Sequence, residues 1–153
     1  MGTILFLHVL GALLFLGNIL ITAFWKLYSD FSRSTESVYF SSKKVLIADL
    51  LFTLPGIILL SVTGNLMAVR LGYPMNELNW LTLSNWLFMI TGIIWLAVLV
   101  PLQFRMVNIS REDHRQGSIS SRYKVTNLYW SIFGVTATVL PLFVLYLMTA
   151  KPF

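Results

Sequence analysis

The chain has 153 residues, 57% of them hydrophobic and only 11% charged, with a formal net charge of +5 and no cysteine. A soluble domain carries about 25% charged residues, so a mean hydropathy of +0.77 excludes a water-soluble globule. Without cysteine there are no disulfides, thiolate metal sites or cysteine nucleophiles. In one membrane domain of this length the basic residues act as topology signals, and no nucleic-acid partner is expected.

The first predicted span covers about 3–25. No basic segment precedes it and no small-residue cleavage site follows, so it reads as a retained helix. Phe6 stands where myristoylation favours Ser or Thr. A polar, Ser-rich connection, Lys26 to Lys44, leads to a second span at about 45–69. Arg70 to Thr82 is a short link with turn signals at Gly72 and Pro74. The third span, about 83–104, opens with Trp86, close after Trp80, as suits a membrane–water interface. A second basic connection, Arg105 to Lys124, precedes the fourth span at about 125–148. Each span meets the ~20 residues needed to cross a hydrocarbon core. The fold class predicted is all-α, an integral membrane up-down four-helix transmembrane bundle in one domain, 1–153.

The second span is the unusual one. Ile47 to Met67 (IADLLFTLPGIILLSVTGNLM) carries an acid, Asp49. A central Asp costs ~2.5–3.5 kcal/mol on insertion scales, and each Leu, Ile, Phe or Val returns ~0.3–0.6. The stretch holds eleven such residues, a gain of roughly 5 kcal/mol, so it inserts with Asp49 facing protein, water or a partner charge.

Nine Lys and Arg fall in the first and third connections, against Arg70 and Lys151 elsewhere. That bias predicts cytoplasmic connections and both termini outside. The basic connections also recur at an offset of about 80 residues, a weak sign of duplication that four antiparallel spans would mimic.

Polar and small residues recur at helical spacing in every span: His8, Gly11, Asn18, Thr22 and Trp25; Asp49, Thr53, Gly56 and Thr63; Asn85, Gly92, Trp95 and Gln103; Asn127, Ser131, Gly134, Thr138 and Pro141. Such stripes serve helix packing in lipid. Converted to depth at ~1.5 Å per residue, they form two clusters. His8 shares the outer level with Asn65, Asn85, Trp86 and Tyr146. Asp49 lies at the inner level with Lys26, Gln103, Arg105, Asn127 and Trp130.

An intramembrane imidazole ligates haem iron, handles protons or hydrogen-bonds a neighbour such as Asn65 or Asn85. A cofactor site for haem b or a quinone is drawn from His8, Gly11, Asn18, Asn65, Trp86 and Tyr146, with His8 as the iron ligand. His/Met ligation would use Met67, Met89 or Met148, and bis-His ligation would need a second subunit. The inner cluster reads as an ion pair of Asp49 with Lys26 or Arg105, supported by Gln103 and Asn127, or as a proton or substrate gate. No phosphate loop, dinucleotide fingerprint, HExxH or GxSxG occurs.

Four stretches carry a resemblance: HVLGALLFLGNILITAFW from His8, DLLFTLPGIILLSVTG from Asp49, WLFMITGIIWLAVLVP from Trp86, and the ending Leu147 to Pro152. They resemble a bacterial family of small integral membrane proteins of unknown function. The resemblance implies four spans in an inner membrane and carries no activity. A fainter likeness, through His8 and Lys151-Pro152-Phe153, is to the small membrane-embedded protoporphyrinogen oxidases, and it implies porphyrin binding. The functions that follow are a hydrophobic-cofactor protein using His8, a transporter or channel using Asp49, or an accessory subunit of a membrane complex or homo-oligomer.

Overall fold

The computed structural model describes residues 1–74 and 76–152. Four long helices account for nearly all of them: α1 (Gly2–Ser32), α2 (Thr35–Arg70), α3 (Trp80–Gln116) and α4 (Ser121–Ala150), each long and apolar enough to cross a membrane. Every predicted span lies inside one of them. Each helix packs on the next in sequence and α4 closes on α1, which is the up-down bundle expected.

The helices run well beyond the apolar spans, so the two basic connections are mostly helical. At the first, α1 ends on Arg33 in the left-handed conformation (φ 55°), and the Ser34 side chain accepts from the Ser37 N–H to start α2. At the second, Gly117 supplies the left-handed residue (φ 72°). There the Asp113 carboxylate accepts from both the N–H and the hydroxyl of Ser120, fixing the turn into α4. The α2–α3 link ends in a reciprocal cap, Asn79 accepting from Leu81 N and Thr82 N while Thr82 Oγ1 accepts from Asn79 N.

The bundle is apolar outside and polar inside. Leu13, Phe24, Ile58, Ile93, Leu96 and Val135 are exposed, whereas Thr53, Thr63, Ser84, Thr91 and Gln103 are buried. Lipid is as apolar as Leu, so close backbone approach and internal hydrogen bonds must hold the helices together. Gly11 and Gly56 do this between α1 and α2. A Cβ on Gly56 would stand 2.9 Å from Phe15 N and 3.0 Å from Gly11 O, and one on Gly11 would stand 2.9 Å from Leu59 Cβ. Several buried hydroxyls are satisfied by carbonyls one turn back, as in Thr63 to Leu59, Ser84 to Trp80 and Thr91 to Leu87. Trp25 and Asn85, expected on inward stripes, are exposed.

α2 and α3 each contain one wide π turn, Asp49–Thr53 and Trp95–Leu99. Leu54 N–H reaches back five residues to Asp49 O, and Val100 N–H to Trp95 O. Each turn ends two residues before a proline, Pro55 or Pro101. Proline has no N–H for the regular ladder and its ring crowds the carbonyl four residues back, and a widened turn relieves both.

Candidate functional site: the Asp49 cluster and the His8 pair

Asp49 begins the π turn of α2, and Trp95, which begins the π turn of α3, reaches it with its indole. Its carboxylate is buried, 6% exposed. Oδ1 accepts from Asn18 Nδ2 at 2.7 Å and from Thr53 Oγ1 at 3.1 Å. Oδ2 accepts from Gln103 Nε2 at 2.6 Å and, at 3.4 Å, from the Trp95 indole N–H. Asn18 Nδ2 also donates to Thr53 Oγ1 at 2.9 Å. Three helices thus send donors to one carboxylate, and all the donors are neutral. Gln103 turns its amide N–H to Asp49 and leaves Oε1 buried with no partner.

The expected ion pair with Lys26 or Arg105 is not formed. Arg105 is exposed on α3. Lys26, 1% exposed, donates to both oxygens of Asp30 at 2.5 and 2.6 Å, to Tyr123 Oη at 2.5 Å and to Asn127 Oδ1 at 3.1 Å. Its ammonium also lies 5.1 Å from the Tyr123 ring centre and 5.8 Å from that of Trp130. Asp30 is one helical turn from Lys26 and so out-competes an acid on another helix. The inner level therefore holds two clusters. Asp30 and Tyr123 escaped the sequence reading because both lie outside the apolar spans. Thr53 and Trp95 were visible only as stripe residues.

His8 hydrogen-bonds neither Asn65 nor Asn85. Its Nδ1 lies 2.9 Å from Thr63 Oγ1. The only proton on Thr63 Oγ1 is donated to Leu59 O, so Nδ1 carries the hydrogen and donates to Thr63. In the neutral ring the Nε2 lone pair is then free to accept or ligate. Gly64 makes room for the ring, since a Cβ there would stand 3.3 Å from His8 Cε1.

The remaining residues of the proposed cofactor site are not gathered around His8. Gly11 is packed on α2, and Asn18 belongs to Asp49. Asn65 is exposed and donates to Ser61 O on its own helix. Trp86 and Tyr146 face outward, Tyr146 stacked on Phe143. Phe153, part of the ending compared with the protoporphyrinogen oxidases, lies outside the described residues. Among the described residues no group of three or more His, Cys, Asp or Glu could hold a metal ion.

Fold and site together define a four-helix integral membrane protein with a polar interior organised on one acid. Over residues 2–152 the chain matches the model of the family described as "Predicted integral membrane protein (DUF2269)", and it belongs to that family. No curated protein and no solved structure matches it.

Proposed function

We propose that the protein is a small membrane transporter in which Asp49 takes up and releases a proton or a small monovalent cation. One observation carries this reading: a carboxylate in a membrane-spanning helix receives four neutral donors from three helices and no cation. An ionised acid in a medium of low dielectric constant needs a compensating positive charge. Here a mobile one would fill that need. The unpartnered Gln103 Oε1 is a vacant acceptor on a residue that already touches the carboxylate, suited to a water or a cation. π turns occur often at functional sites, and two of them send side chains to this cluster. One carboxylate is too few hard ligands for a divalent ion.

The test is flux in proteoliposomes, with a pH-sensitive dye inside and imposed proton, sodium or potassium gradients. Wild type should conduct or exchange one of these. Asp49→Asn should abolish the flux while the purified protein still folds. A wild type that moves none of the three overturns the transport reading.

The free Nε2 of His8 favours a second reading, in which His8 ligates haem b or contacts a quinone. With one span histidine per chain, bis-His ligation would recruit His8 of a second copy. A Soret band in the purified protein, lost in His8→Ala, would support it. For location, the reading is a bacterial inner membrane with the basic end of the bundle in the cytoplasm.

A further inference from the structure

A groove of about 740 Å³ runs between α1 and α2 on the outer face of the bundle, within the size range of small-molecule sites. Leu13, Ile21, Trp25 and Phe52 give it apolar walls, and Gly17 leaves one wall open, since a Cβ there meets nothing within 4 Å. Toward the α1–α2 turn the lining becomes polar. Ser29 and Ser41 lie there, 6% and 9% exposed. Their hydroxyls are buried and have no partner. That is unusual in this chain, where span hydroxyls such as Thr22, Ser84, Thr91 and Thr138 bond carbonyls of their own helices. Lys44 stands on the rim with its ammonium 5.3 Å from the Phe40 ring centre. Among the described residues it has no acidic partner, and no acid lines the groove.

An apolar trough ending in unsatisfied hydroxyls and an unpaired cation matches an amphiphile with an anionic head. We propose that this groove binds one anionic phospholipid of the surrounding bilayer. Its acyl chain lies along Leu13, Ile21 and Phe52, and its phosphate oxygens accept from Lys44 and the Ser29 and Ser41 hydroxyls. A phosphate supplies strong acceptors and charge together, and a basic residue near a membrane surface favours an anionic lipid by about fivefold. A quinone would leave Lys44 without a counter-charge.

The test is native mass spectrometry of the purified chain after incubation with phosphatidylglycerol or phosphatidylcholine vesicles of matched acyl chains. Wild type should retain one phosphatidylglycerol, about fivefold over phosphatidylcholine. Lys44→Ala should erase that preference. Gly17→Leu should block both lipids with an unchanged melting temperature, and Ala48→Leu, on the facing helix, does the same job if Gly17→Leu fails to fold. Equal retention of the two lipids by wild type overturns the proposal. So does retention by both blocked variants, or a groove filled by a quinone or by a second copy of the chain.

Discussion

At the scale of single residues, the interior is decided by how much room and how many donors each position meets. Gly56 illustrates room. Its neighbours are backbone atoms of α1 at 2.9 and 3.0 Å, which cannot rotate aside, so Gly56→Ala must push α1 and α2 apart. We expect a loss of about 1–3 kcal/mol in unfolding experiments in micelles. Gly92→Ala, where a Cβ meets nothing within 4 Å, should be neutral or stabilising by up to about 1 kcal/mol. Similar losses for both would show that the close approach at Gly56 is not what holds the helices. Lys26 and Asp30 illustrate donors. Asp30→Asn strands a nearly fully buried ammonium and should cost about 3 kcal/mol or more. Lys26→Met leaves Asp30, 20% exposed, still accepting from Tyr123 Oη at 2.9 Å, and should cost about 1–3 kcal/mol. The reverse order in denaturant titrations would contradict this account of the cluster.

At the scale of elements, the two π turns explain how straight spans bring Asp49 and Trp95 to one point. A π turn holds one residue more than an α turn, so it rotates everything on one side by about 100° relative to the other. In α2 this lets Asp49 face Gln103 while Gly56 and Thr63 still face α1. Pro55 removes the competing regular hydrogen bond, and the donors on Asp49 hold the turn open. The two causes should therefore be coupled. Pro55→Ala alone should cost less than about 1 kcal/mol, because the Asp49 bonds keep the turn. With Asp49→Ala added, the helix is free to close into a regular ladder. A double-mutant cycle should then show a coupling energy of about 0.5–3 kcal/mol. Strict additivity would mean that proline alone makes the turn. The π turns sit on α2 and α3, the second and third spans, so they do not follow the pairing of first with third and second with fourth that the offset of basic connections suggests.

At the scale of the whole molecule, charge and hydropathy set the placement in the bilayer. Arg33, Lys43, Lys44, Arg111, Arg115, Arg122 and Lys124 gather at the end formed by the α1–α2 and α3–α4 turns. The positive-inside rule predicts that this end faces the cytoplasm. A phosphatase reporter fused after the last residue should be active outside the cytoplasm, and one inserted at Ser118 should be inactive. The opposite pattern would reverse the orientation and with it the side from which Asp49 is reached. The same end carries Lys44, so the leaflet whose lipids reach the α1–α2 groove would change as well.

What this chain by itself determined was the medium and the architecture. Four apolar runs with sparse charge can be stable only as helices in lipid, and short links make neighbours antiparallel. Those are local consequences of hydropathy and backbone hydrogen bonding. The inward stripes on α2 were legible for the same reason, since Asp49, Thr53, Gly56 and Thr63 are costly or useless against lipid. The partners were not legible. Depth put Lys26 level with Asp49, but whether the two meet depends on helix rotation, and Asp30 one turn away claims the ammonium first. Asn18 was drawn into the cofactor site with His8 and sits on Asp49, because it lies several turns further along α1 than His8 and helix rotation turns it to α2. His8 bonds Thr63 rather than an asparagine, since Gly64 beside it leaves the space its ring needs. Rotation about the helix axis is a tertiary property: it is set by the Gly11–Gly56 contact and by the π turns before Pro55 and Pro101, and periodicity along one helix contains neither.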